Sequence, residues 1–257
     1  MSKAYSLFEG SFSVDTSKKF IPFDPEKDNP KSRPGSIFVY VHPFLIDSPE
    51  GLIVCDTGLG HYGDTGKLMI VEKIEELGFS AADVKYVLMS HLHKDHASGM
   101  ADVKSGQVTF PNAVYVIQEK EWENTVKDKK DEVLNEIWSL VEDKADIQFV
   151  HGDGQINGNI HYNLSGGHTK YHQVFHIYTD DSHYFFGGDV LPEPEQLFVN
   201  FVAKYDFDGK LARALRQEYW KEGAPEKWKF LFYHSKNIAI GVSQEKSDGE
   251  YILIEAE

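Results

Sequence analysis

The sequence is nearly without cysteine. Its single thiol, Cys55, leaves no partner for an internal disulfide, which fits a reducing compartment. It also lacks any apolar run near the ~20 residues that a membrane-spanning helix needs. The longest runs, Ile37–Val41 and Gly51–Cys55, are strand-sized. The opening residues, Met-Ser-Lys-Ala-Tyr-Ser, carry no apolar segment of the secretory kind. Together these absences point to a cytoplasmic protein that makes no use of a membrane. Positive charge is scarce as well: 26 Lys and Arg stand against 41 Asp and Glu, a net charge of −15. Such a surface repels phosphate polymers, so nucleic acid is not the expected partner. No low-complexity tract or linker divides the chain, and residues 1–257 read as one domain.

Hydrophobic residues make up 41% of the chain, enough for a sizeable core. Residues 1–35, punctuated by Pro22, Pro25, Pro30 and Pro34, read as an arm laid over the domain. Strands are expected at 36–46, 51–56, 84–89, 107–110 and 113–117. Helical spacing covers 67–77 and ends at Gly78. A charged helical insert is expected over 119–144, with Val126, Val133, Leu134, Ile137, Trp138 and Val141 on its packed side. Further strands are expected at 147–150, 173–178, 184–187, 229–233, 237–242 and 251–254. Before the last three, a helix capped by Asp208 presents Leu211, Leu215 and Tyr219 on one face.

Twelve histidines are present, and their positions carry the chemistry. Residues 90–99 read Ser-His-Leu-His-Lys-Asp-His-Ala-Ser-Gly, which puts His91, His93, Asp95 and His96 within six positions at the end of a strand. Strand alternation sets His91 and His93 on one side, and a turn brings Asp95 and His96 to a second point nearby. Imidazoles and carboxylates converging in this way are what a metal site requires.

The pattern His91-x-His93-x-Asp95-His96 resembles the signature of the metallo-β-lactamase superfamily. Its other motifs follow in order: Asp56-Thr57-Gly58, Gly167-His168-Thr169, Gly188-Asp189, and His234 at the end of a strand. The resemblance implies an α+β fold, the αβ/βα four-layer sandwich, with two packed β-sheets and helices outside. Carried over by position, His91, His93 and His168 would hold one metal, while Asp95, His96 and His234 hold a second. Asp189 would bridge the two, and Asp56 would orient a ligand imidazole. Two divalent metal ions are implied, with Zn²⁺ preferred and Fe, Mn or Co also suited to these ligands. The dinuclear hydrolase so implied uses a metal-bridging hydroxide, steered by Asp95, which is also the candidate catalytic residue. Two metals sharing seven side chains leave positions open to water, which favours an enzyme over a metal-bound ligand sensor.

Within the superfamily, Asp-Thr-Gly, a Gly-rich loop, a helix and Ser-His-Leu-His-x-Asp-His-Ala are similar to the branch of N-acyl-homoserine lactone lactonases and methyl parathion hydrolases. That similarity implies a small-molecule substrate, an apolar ester or lactone. Phosphotriester or phosphoester hydrolysis and glyoxalase II-like thioester hydrolysis are the alternatives on the same centre. Lactonases of the branch often carry tyrosine three residues after the bridging Asp, where this sequence has Pro192; Tyr62, Tyr171, Tyr205 and Tyr233 are the candidates to replace it. A homodimer is compatible with the arm and the insert.

Other signals carry less. Residues 58–63 match a dinucleotide fingerprint by letter, but Glu75 and Glu76 lie in a helix and not at the end of a second strand. They are read as a flexible loop lining the mouth of the cleft. His172 and His176 lie in a strand and read as packing or hydrogen-bonding residues, with His61 and His172 placed near the cleft. Cys55 reads as a small buried hydrophobe.

Overall fold

The computed structural model describes residues 2–127 and 131–256. Its architecture rests on two mixed sheets. The first has six strands in the order β1 (Lys3–Ser6), β5 (Phe44–Ser48), β6 (Gly51–Cys55), β7 (Val84–Leu88), β10 (Val114–Gln118) and β11 (Asp146–Val150). The second runs β12 (Gly154–Asn157), β13 (Ile160–Leu164), β14 (Gln173–Tyr178), β15 (His183–Phe186), β16 (Lys229–Leu231), β17 (Ile240–Glu245) and β18 (Tyr251–Glu255). β2 (Gly10–Val14), β3 (Phe20–Pro22) and β4 (Ile37–Val41) form a small third sheet, and β8 (Ala101–Asp102) pairs with β9 (Gln107–Val108).

Strand alternation explains how these sheets stack. Phe44, Ile46, Ile53, Cys55 and Leu88 of the first sheet pack against Phe175, Ile177, Tyr184, Phe186 and Leu231 of the second. Leu45, Val54, Val87 and Tyr115 point the other way and bury Ile70 and Ile74 of α1 (Met69–Glu76) with Ile137, Trp138 and Val141 of α4 (Glu132–Lys144). On the far side, Val174, Phe185 and Phe230 meet Tyr219 of α5 (Gly209–Gly223). Helix, sheet, sheet, helix: this is the αβ/βα sandwich, of class α+β. Two shorter helices, α2 (Lys94–Ala97) and α3 (Glu119–Thr125), complete the set used below.

The structure differs from expectation in several places. The expected strand at 36–46 is two strands, since β4 pairs with β2 whereas β5 pairs with β1 and β6. The break falls at His42-Pro43, and proline has no N–H for a continuous ladder. The segment read as an N-terminal arm, residues 1–35, carries strands: β1 closes the edge of the first sheet, and β2 and β3 join β4 in the small one. On α5 the buried face is Ala212, Arg216 and Tyr219, while Leu211 stays 40% exposed. Val133 of α4 is likewise exposed. β12 and β13 were unexpected; their residues alternate too weakly in polarity to stand out.

Candidate metal centre

The cluster sits where the strand ends of the two sheets meet. β6 delivers Asp56, β7 leads into His91 and His93, and α2 carries Asp95 and His96. The β13–β14 connection supplies His168. Asp189 follows β15, and His234 follows β16. All seven side chains named from the sequence converge here. His91, His93, His168 and Asp189 form one group able to hold a cation, and Asp95, His96 and His234 form another. Asp189 lies between them: its Oδ2 is 3.2 Å from His168 Nε2, and its Oδ1 is 3.2 Å from His96 Nε2 and 3.1 Å from His234 Nε2. Asp95 Oδ2 lies 3.7 Å from His96 Nε2 and 3.5 Å from His234 Nε2.

Three of the outward ring nitrogens are held by partners behind the cluster. His96 Nδ1 lies 2.7 Å from Asp56, His168 Nδ1 lies 2.9 Å from Asp206, and His234 Nδ1 lies 2.7 Å from the Tyr40 carbonyl. Such contacts fix tautomer and ring orientation and leave Nε2 facing inward. The buried Nε2 atoms of His91 and His96 make no hydrogen bond among the described residues. Burying unsatisfied polar atoms is costly, so the donor set fits a cation that would satisfy them. Burial pushes the His91 imidazole well below its ordinary pKa, and the neighbouring imidazoles add to this, so its lone pair is available. Burial opposes protonation of His96 too, but Asp189 and Asp95 outweigh it and hold its pKa well above the usual value. A cation held between these groups would take the place of that proton.

The backbone around Asp56 is built for this. Asp56 has φ +53°, a strained conformation of the kind that gathers at functional sites. Its carboxylate accepts from the Ser90 amide at 2.7 Å and the Ser90 hydroxyl at 2.6 Å as well as holding His96. Gly58 follows at φ +78°, and a Cβ there would lie 2.3 Å from the Glu9 carboxylate. The loop at 58–63 is therefore not free. Thr57 donates its amide to the His96 carbonyl at 2.6 Å, and Gly60 packs against the Ser98 backbone. Its glycines serve close backbone approach, with no second strand ending in an acid to complete a nucleotide site.

Several supporting residues were not legible in the sequence. Asp206, its side chain fully buried, holds His168 and lies 3.7 Å from the Arg216 guanidinium. Arg216 is itself buried and donates to the Val190 and Phe201 carbonyls. Glu121 ties two ligand loops together, accepting from the Leu92 amide at 3.3 Å and the Thr169 hydroxyl at 2.9 Å. His172 lies behind the centre, accepting from the Asp189 amide at 3.1 Å, with its Nδ1 2.8 Å from the Ser165 hydroxyl. His61 packs edge-on against Phe12 instead of joining the cluster. Among the candidate tyrosines, Tyr62 donates to Asp102 and Tyr233 to the Asp95 carbonyl. Tyr171 and Tyr205 remain, and the Tyr205 ring lies 5.9 Å from that of His168. Near it in sequence, Phe198, Val199, Phe201, Val202 and Phe207 are all exposed, and the Phe207 amide donates to the His168 carbonyl.

With this geometry in view, the family follows. Residues 37–231 match the model of the metallo-β-lactamase superfamily, and the chain belongs to it. It is a metal-dependent hydrolase of that superfamily, with lactonases among its relatives. The chain is 28% identical over 210 residues to the N-acyl homoserine lactonase AttM of Agrobacterium fabrum, covering 71% of this chain and 69% of that protein. In fold it is similar to a probable metal-dependent hydrolase from Staphylococcus aureus, with TM-score 0.75 and 22% identity over 100% of this chain and 98% of the other. It is also similar to AidC, a dizinc quorum-quenching lactonase solved with the product N-hexanoyl-L-homoserine, with TM-score 0.72 and 21% identity over 100% and 95% of the two chains.

Proposed function

We propose that the protein opens a lactone or ester of apolar body, with an N-acyl-homoserine lactone as the first candidate, at a centre of two divalent metal ions, Zn²⁺ before Fe, Mn or Co. The observation that carries this reading is the pair of donor groups with Asp189 lying between them, and the buried imidazole nitrogens left unsatisfied. The lactonase relatives support the choice of substrate. When bound, divalent cations lower the pKa of water toward neutrality and polarise a carbonyl oxygen.

The chain's own residues do the rest. His91, His93, His168 and Asp189 define one position, and Asp95, His96, His234 and Asp189 the other. Asp95 orients the attacking water with the carboxylate oxygen that is turned toward His96 and His234. Tyr205 offers a phenol beside His168, in the role that Pro192 cannot fill. Phe198, Phe201 and Phe207 give the substrate an apolar wall. Residues 1–257 act as one domain in this reading, because β1 and β17–β18 hydrogen-bond into the two main sheets. No helix among the described residues is long and apolar enough to cross a membrane. Cys55 is buried and free, and we place the enzyme in the cytoplasm.

The test is His93→Ala beside Asp189→Asn, with bound metal and lactone hydrolysis measured on the same samples. Both are expected to fall together. Full occupancy with retained hydrolysis in either variant would sink the assignment.

A further inference from the structure

A cavity of about 460 Å³ opens beside the metal centre, with His93 as the side chain common to both. Small-molecule sites run to about 300–1,000 Å³, so it can take a substrate group of modest size. Leu92, Leu134 and Trp138 give part of its wall an apolar character, but charged side chains line it as well. A long alkyl tail alone would not call for them.

The two acids among them are already engaged. Glu121 accepts from Leu92 and Thr169 as described above. Asp131 caps α4 by accepting from the amides of Val133 and Leu134, and it pairs with Lys94 Nζ at 3.2 Å. The two lysines of the wall, Lys18 and Lys170, are not engaged in this way: among the described residues neither ammonium has an ion pair or hydrogen bond. Lys170 only overlies the Tyr171 ring, at 5.2 Å from its centroid. Lys18 is held at φ +57° in a turn closed by its amide on the Asp15 carbonyl. A residue with a side chain adopts that conformation at a cost, and such strain gathers at ligand sites. Among the described lining residues, the two ammonium groups are therefore the charges left without a partner to meet an anionic ligand, on a chain whose net charge is −15.

We propose that the cavity is a subsite for a carboxylate at the far end of the substrate's acyl group, recognised by Lys18 and Lys170. The preferred lactone or ester then carries the half-acyl group of a dicarboxylic acid instead of a plain fatty acyl chain. The inference takes its reaction from the hydrolase reading above, but its binding claim can be read separately.

Adipate and hexanoate give a matched pair of probes. Both have a six-carbon chain and offer one carboxylate to the metal centre, and only adipate carries a second at the other end. Calorimetry on metal-loaded protein is expected to show adipate binding about ten-fold tighter or more, with the advantage shrinking as salt is added. In the Lys18→Met, Lys170→Met double variant the advantage is expected to vanish. Equal or weaker binding of adipate, or a preference that survives in the double variant, overturns the proposal. Turnover of adipoyl- and hexanoyl-homoserine lactone separates the two claims. Equal kcat/KM for both keeps the hydrolase and removes the anion subsite. Turnover of neither, with a lysine-dependent preference for adipate, keeps the subsite and removes the lactonase reading.

Discussion

At the scale of single residues, the centre depends on side chains beyond the seven candidate ligands. Asp206 is the clearest: its carboxylate fixes the His168 ring, and it is fully buried. Removing such a partner commonly costs 10–100-fold in metal affinity or activity. Asp206→Asn should weaken metal binding by about ten-fold or more, read by competition with a chelator, while the circular dichroism spectrum stays native. Unchanged affinity would assign Asp206 a purely structural role. Tyr205→Phe is expected to lower kcat by about 100-fold or more while leaving bound metal intact, as loss of a single stabilising donor does; an unaltered kcat would rule out the phenol. Glu9 makes a third case. Burial, offset in part by the Leu59 amide, pushes its pKa from 4.5 to about 8. Between those values the folded state binds a proton that the unfolded state has released. Stability contributed at this site therefore falls by about 1.4 kcal/mol per pH unit as pH rises across that window, and then levels off. Glu9→Gln should flatten that part of the curve of unfolding free energy against pH. A slope unchanged from wild type would place the proton elsewhere.

Elements set what these residues can do. The N-terminus of α5 is where the second sheet's helix layer meets the site: Phe207 donates its amide to the His168 carbonyl and Asp208 donates to that of Gly167. Asp208 then caps the helix by accepting from the Leu211 amide at 3.0 Å. Asp208→Ala is expected to cost about 1 kcal/mol in denaturant unfolding and to loosen metal binding as well. A stability loss with unchanged metal affinity would separate the cap from the site. The cap was legible in the sequence because an Asp preceding an amphipathic run is a local signal. The face of α5 was not. Arg216 is buried by its hydrogen bonds to Val190 and Phe201 and its closeness to Asp206, partners that hydropathy does not register. The same limit hid β2 and β3, short strands that gain their place only by pairing, β2 with β4 and β3 with β2.

For the whole molecule, the metal-binding pattern and its order along the chain were legible because one short segment, 90–96, concentrates four of the seven donors. The sandwich itself came from resemblance, since alternating strands and helices suit several folds. What no local pattern carried was the joining of distant loops: Glu121 to Leu92 and Thr169, and Asp206 to His168. Metal bound at the centre would hold those loops together, so chelation is expected to lower the unfolding temperature, and readdition to restore it. The most direct measurement is proton release when metal-analysed protein meets a medium-chain N-acyl-homoserine lactone, since ring opening liberates one acid per turnover. The account predicts metal-dependent release that His93→Ala abolishes. Protein carrying two metals and releasing no acid would contradict it.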